Sequence, residues 1–260
     1  MLSLVEGIKF FNINFKLALE FHNDKRADVT LIYKDMDHLV EPTDEMNFEL
    51  DNDQKVTNIC DIEDLGRGKL IQPHLVCMFI IRRELLLNII EKYSSIGCSS
   101  IGCIDLINII MENIGILKIY GRPTCTLIGA IRTVKDYFDR SMKLLDLEVR
   151  GKLWLGQDRI HTKIRDNPPT QYTSQAKVSN SLIASGCSIS GTVENSIIFR
   201  EVILEQGCQI KNSIILPECH IQENAQIEYA ILDKSVKVNG ENVLKGSLNN
   251  PLVVLKRTVI

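Results

Sequence analysis

The sequence predicts a two-part chain: a mixed α/β domain followed by a parallel β-helix of hexapeptide repeats. Three observations predict it. From about residue 176, single aliphatic residues recur at steps of mostly five and six. A helix would step three and four and a plain strand two. Before about residue 145, short β-branched runs alternate with segments of helical spacing, as in a parallel sheet with covering helices. Between the two lies Arg165-Asp166-Asn167-Pro168-Pro169-Thr170, whose prolines fix an extended path and end any preceding helix. The expected domains are 1–145, a linker over 146–175, and 176–260.

Composition narrows the classes. The chain has 260 residues, 45% hydrophobic and 24% charged, enough for a real core. Thirty Lys and Arg against 33 Asp and Glu give a net charge of -3, without the basic excess of a nucleic-acid binder. No apolar run is long enough for a membrane span, so no membrane role is expected. The start, Met1-Leu2-Ser3-Leu4-Val5-Glu6, has no basic n-region, so no signal peptide is expected. Eight cysteines without a CxxC pair read as reduced and mostly buried in a cytoplasmic protein. The duplication Ser94-Ser95-Ile96-Gly97-Cys98 and Ser99-Ser100-Ile101-Gly102-Cys103 reads as a loop.

In the first part, Leu4, Val5, Ile8, Phe10 and Phe11 read as one strand with nothing before it, the opening of a partial domain. Asn14 is placed to cap a helix with Phe15, Ala18, Leu19 and His22 on one face. Val29–Tyr33 is a strand, residues 35–55 an acidic surface excursion, and Val56–Ile59 and Cys77–Ile81 are further strands. Leu85, Leu86, Ile89 and Ile90 make one helical face; Ile104, Ile107, Ile110 and Met111 make another. Strands follow at Ile116–Tyr120 and Cys125–Ile128. Thr133 and Asp136 signal a capped helix with Val134, Tyr137, Phe138, Ser141, Met142 and Leu145 along one side.

The second part steps through Val178, Ile183, Ile189, Val193, Ile198, Leu204, Ile210, Ile215, Ile221, Ile227, Leu232, Val238 and Val243. Three flat faces make one coil, so one aliphatic points inward per face, and only stacked coils bury a core. About four coils are expected. The small residues Cys187, Cys208, Cys219 and Ala225 sit two positions before an inward aliphatic, where a corner is tight. Asn180-Ser181, Asn195-Ser196 and Asn212-Ser213 each precede an aliphatic pair and suit turns. From Asn249 the pattern drops, and Leu252–Leu255 is expected to cap the open end or meet a neighbouring subunit.

No phosphate-cradling GxGxxG or GxxxxGK[ST], no HExxH, no GxSxG and no zinc spacing occurs. The residues themselves assign no catalytic group and no metal ligand, and leave cofactor binding unknown. His22 reads as a hydrogen-bonded structural residue. His220, in a repeat position, is the one residue a hexapeptide acyltransferase could use as a base.

This order resembles the glucose-1-phosphate adenylyltransferase (ADP-glucose pyrophosphorylase) family. The resemblance runs through Asn12-Ile13-Asn14-Phe15, Leu19-Glu20-Phe21-His22, Ala27-Asp28-Val29-Thr30 and Tyr137-Phe138 to Leu144-Leu145. It is sharpest at Pro168-Pro169-Thr170, Asn180-Ser181-Leu182-Ile183, Gly191-Thr192-Val193-Glu194-Asn195-Ser196 and Ile231-Leu232-Asp233-Lys234. The variant it is most similar to is the non-catalytic, regulatory-type subunit of glycogen biosynthesis. The resemblance implies a truncated, Rossmann-like nucleotidyltransferase domain before a left-handed parallel β-helix. The family converts ATP and glucose 1-phosphate to ADP-glucose and pyrophosphate with Mg2+ held by carboxylates. Its Gly-rich loop would lie before Met1. Where its metal carboxylates stand, this chain has Ile8 and, near the later strand, Ala130 or a neighbour. Its Glu-Lys-Pro sugar-contact segment is missing between Ile59 and Cys77.

The resemblance therefore implies a regulatory or scaffolding subunit that hetero-oligomerises with a catalytic subunit. Mg2+ is expected for that partner and no cofactor for this chain. An active sugar-phosphate nucleotidyltransferase and a hexapeptide acyltransferase are the alternatives. Arg132, Lys135, Arg140, Lys152, Arg159 and Lys163 form a loose basic set near the domain junction. Within it, Arg132, Lys152, Arg159 and Lys163 are the candidates for an anionic sugar-phosphate effector.

Overall fold

A computed structural model describes residues 2–5, 8–36, 47–60, 72–94, 109–110, 112–123, 126–131, 133–154 and 166–260. The chain divides into two units, Met1–Ile128 and Gly129–Ile260. The elements of the first unit are β1 (Leu2–Val5), β2 (Ile8–Asn12), α1 (Phe15–Asp24), β3 (Val29–Met36), β4 (Asn47–Leu50), β5 (Val56–Cys60), β6 (Gln72–Ile81), α2 (Arg83–Ser94) and β7 (Ile119–Pro123). Strand β8 (Thr126–Ile131) crosses the division. The main sheet has the order β5-β4-β6-β3-β7, with β1 also on β6.

Side-chain alternation on β3 and β6 builds two cores. Ile32, Met78 and Ile80 point to the face that takes Ala18 of α1 and, at its margin, Ile13. Val29, Leu31, Tyr33, Phe79 and Ile81 point the other way, against Phe48, Val56 and Leu86 and Ile89 of α2. Tyr33 and Phe48 meet edge to face at 5.3 Å. Asp28 ties the strand ends together. Its carboxylate accepts from Lys118 N at 2.8 Å and pairs with Arg82, and its carbonyl accepts from Arg82 N at 3.3 Å.

Several expectations change here. The sheet is mixed rather than parallel: among the described pairings, β3–β7 is parallel, and β1–β6, β3–β6, β4–β5 and β4–β6 are antiparallel. The β4–β5 connection shows why. It is a tight turn in which Asp51 Oδ1 accepts from Asp53 N (2.8 Å) and Lys55 N (2.9 Å), far too short for a parallel crossover. Strand β4 hides in the acidic stretch read as an excursion. The first strand is two strands, β1 and β2. The strand expected at Ile116 starts at Ile119, because Asn113 takes up a turn that receives Ile116 N and Leu117 N; Ile116 is 81% exposed. The Ser94–Cys103 duplication, apart from Ser94, and Ile104 and Ile107 lie outside the described residues.

The second unit opens with helices α3 (Val134–Met142) and α4 (Leu147–Trp154) around a 3-10 turn, Lys143–Leu145. Thr133 Oγ1 accepts from Asp136 N at 3.0 Å and Thr133 N donates to Asp136 Oδ2 at 2.9 Å, a full capping box with aspartate in the acidic role. Helix α4 occupies the start of the expected linker; its first turn is closed by Asp146 Oδ1, which accepts from Glu148 N at 2.7 Å.

The rest of the unit is a parallel β-solenoid with five strands on each of three faces. Face one stacks Lys177–Ser179, Thr192–Glu194, Gln209–Lys211, Gln226–Glu228 and Val243–Lys245. Face two stacks Leu182–Ile183, Ile197–Ile198, Ile214–Ile215, Ala230–Leu232 and Leu252–Val254. Face three stacks Gln171–Tyr172, Ser188–Ile189, Ile203–Leu204, His220–Ile221 and Lys237–Val238. The first strand therefore precedes residue 176, and Pro168 O accepts from Gly186 N at 2.7 Å on the next coil of the stack. Ile189, Val193, Ile198, Leu204, Ile210, Ile215, Ile221, Ile227, Leu232 and Val238 fill one continuous core, with Cys187, Cys208, Cys219 and Ala225 buried at its corners.

The irregular stepping has a cause. Equivalent residues lie 17 apart in the central coils and 15 apart in an early one, not 18. The missing residue falls at the Asn-Ser corner. There Asn180, Asn195 and Asn212 adopt left-handed φ of 40°, 46° and 46°, which asparagine tolerates. Their amides form a ladder: Asn180 Nδ2 to Asn195 Oδ1 at 2.8 Å and Asn195 Nδ2 to Asn212 Oδ1 at 2.5 Å. The serines stitch the backbone: Ser181 Oγ accepts from Ser196 N, Ser196 Oγ from Ser213 N and Ser213 Oγ from Ala230 N, each at 3.1 Å. Gly191 turns the shortest corner, where a Cβ would lie 2.3 Å from Cys208 Sγ. The tail does not leave the pattern. Leu252–Val254 extends face two and Val259 bridges Lys237, after a hairpin closed by Ser247 and Asn250.

Candidate functional site

The outward side chains of the solenoid give each face its own chemistry. Face two is apolar on both sides. Its inward row is Ile198, Ile215 and Leu232; outward, Ile214 and Ile231 are buried beneath Phe138 of α3, with Tyr137, Met142, Phe199, Leu216 and Tyr229 around them. The aliphatic pairs in the sequence are the signature of this double-sided face. Burial pushes the Tyr137 hydroxyl above its usual pKa; a bond to Ser141 works against that rise and the nearby Asp233 carboxylate adds to it.

Face one is polar outside. In-register stacking brings Glu194, Lys211, Glu228 and Lys245 into one column of alternating sign. Lys211 Nζ lies 3.4 Å from Glu194 and Lys245 Nζ 2.7 Å from Glu228. On face three, His220 is outward rather than inward. Its Nε2 sits 2.6 Å from Glu205 Oε1, and Glu205 Oε2 accepts from Glu223 N at 3.2 Å. This half-buried hydrogen-bonded contact accounts for His220 structurally. Glu205 could not be read as its partner from local spacing, because the two meet only through stacking.

The expected effector set is not assembled by the described residues. Arg132, Arg159 and Lys163 lie outside them, and Lys152 lies on α4. Of the wider basic set, Lys135 Nζ pairs with Asp139 at 2.5 Å, one helical turn on. Arg140 Nε and Arg150 Nε are buried without a hydrogen-bond partner. Among the described residues no three His, Cys, Asp or Glu side chains group as metal ligands. Ile8 lies on β2 and Ala130 on β8, between Gly129 and Ile131. Neither side chain carries an oxygen that could ligate a hard cation.

Residues 168–246 match the family model described as GlmU-like, C-terminal hexapeptide. The chain is 33% identical to glycogen biosynthesis protein GlgD of Bacillus subtilis over 95% of its length, and 35% identical to GlgD of Geobacillus stearothermophilus over 82%. It is similar to the GlgD glycogen biosynthesis proteins. A more distant likeness, 26% over 80% of the chain, links it to a glucose-1-phosphate adenylyltransferase of Fusobacterium nucleatum. The chain spans 60% of the length of both GlgD relatives and 53% of that adenylyltransferase. The GlgD match covers the α/β unit as well as the hexapeptide solenoid, in the order the resemblance implied. No helix among the described residues is long and apolar enough to cross a membrane.

Proposed function

We propose that this chain is a regulatory or scaffolding subunit in glycogen synthesis, acting in the cytoplasm beside a catalytic glucose-1-phosphate adenylyltransferase subunit. The observation that carries the reading is the GlgD likeness over 95% of the chain. The apolar residues at Ile8 and Ala130, where the family resemblance puts metal carboxylates, favour a chain that does not itself transfer the nucleotidyl group. The Mg2+ chemistry then belongs to the partner. The stacked outer faces of the solenoid supply contact surface, which suits a hetero-oligomer.

The test is co-expression with a catalytic adenylyltransferase subunit, followed by co-purification and pyrophosphate release with and without this chain. The expected result is a stable complex, altered turnover or effector response, and no release by the lone chain. Turnover by the lone chain would replace this reading with an active nucleotidyltransferase. Failure to bind the partner would remove the subunit role. The effector proposal, an anionic sugar-phosphate at Arg132, Lys152, Arg159 and Lys163, is tested on the same complex. Neutralising Lys152 and Arg159 together is expected to abolish the effector response; an unchanged response rejects the site.

A further inference from the structure

Among the described residues, helix α1 meets its sheet through a small apolar contact. Its apolar contact is Ala18, with Ile13 at the margin, against Ile32, Met78 and Ile80, while Phe15, Leu17 and Leu19 are exposed at 47%, 45% and 37%. A polar attachment stands beside it. His22, one turn after Ala18 and 2% exposed, places Nδ1 2.8 Å from Oγ1 of Thr30, itself fully buried on β3. The other ring nitrogen, Nε2, is buried and has no hydrogen-bond partner among the described residues.

We propose that His22 is an acid-sensitive latch holding α1 on the sheet. A neutral imidazole leaves one weak polar atom unsatisfied. An imidazolium would bury a charge and an unpartnered N–H donor in the same place, a far larger penalty. Among the described residues, the charged groups acting on the ring are Arg82, just after β6, and Asp28, just before β3. Asp28 favours the charged ring, but it is also engaged by Arg82 and by Lys118 N and offsets the ring's charge only in part. Burial is the main cause that lowers the His22 pKa below its ordinary 6.5, and Arg82 lowers it further. The unfolded or detached ring binds a proton first as pH falls. The latch is therefore fully closed above pH 6.5 and weakens as pH drops towards the lowered folded value.

The test is amide exchange of residues 15–24 at about pH 7.5 and 5.5, corrected for intrinsic rates, with α1 opening expected to rise at the lower pH, by up to about tenfold. Amides of β3, β6 and α2 are expected to keep their protection. His22→Gln, which can bond Thr30 but does not titrate, is expected to lose the acid response. Should that variant fail to fold, the imidazole resonances of the unaltered protein decide. Titration of His22 below 6.5, together with the α1 exchange change, upholds the latch. Equal α1 protection at both pH values, an acid response kept by His22→Gln, or titration at or above 6.5 overturns it.

Discussion

Asn195 shows how much one corner residue can carry. It holds a left-handed φ of 46°, donates to Asn212 and accepts from Asn180. Asn195→Ala forces a Cβ-bearing residue without polar atoms into that conformation and breaks both ladder bonds, an expected loss of roughly 2–3 kcal/mol. Asn195→Gly keeps the dihedral freely available and is expected to lose less; urea unfolding of the pair separates conformational strain from the ladder. Thiol chemistry gives a second prediction. Burial, with Glu205 nearby, pushes the Cys208 thiol up to about 12, and burial pushes Cys219 up to about 11. At pH 8 the thiolate fraction of either is below about one in a thousand. Iodoacetamide is therefore expected to label both only after denaturation, and native-state labelling at a free-thiol rate would contradict the packing.

Among the elements, α3 is the one whose removal should be most visible. Phe138 is 2% exposed and covers Ile214 and Ile231. Phe138→Ala is expected to cost about 3–5 kcal/mol and to raise binding of an apolar dye, as the outer side of face two opens. Its capping box and periodicity were legible, since Thr133, Asp136 and Phe138 stand at fixed local spacing. What it packs against was not, because the outward isoleucines of face two meet it only in three dimensions. The same divide runs through the chain. Inward aliphatics, small corner residues and Asn-Ser turns are local signals and could be read directly. The mixed sheet, the strand inside the acidic stretch, the helix in the presumed linker and the Glu205–His220 pair depend on tertiary pairing or on single caps such as Asp146, which periodicity does not register.

For the whole molecule, the division falls at Ile128 and Gly129, because α3 and the solenoid share one apolar cluster. A fragment of residues 129–260 is therefore expected to fold and to unfold in a single cooperative transition. A fragment of residues 166–260, which lacks α3, leaves Ile214 and Ile231 bare and is expected to self-associate in sedimentation. Equal solubility of the two fragments would remove α3 from the fold's requirements.

The 17-residue period has a further consequence for how such a protein can change length. Excising residues 205–221 would join Leu204 to Gln222 and leave every remaining strand on its own face, since Leu204 already stands in register with Ile221. The tower would be one storey lower, by about 4.8 Å, with its inner pillar intact. A cut of nine or ten residues would instead swing everything below it towards a different wall. Height is thus adjustable in whole storeys only, which makes the stack a ruler whose length lineages can reset without redesigning what it joins.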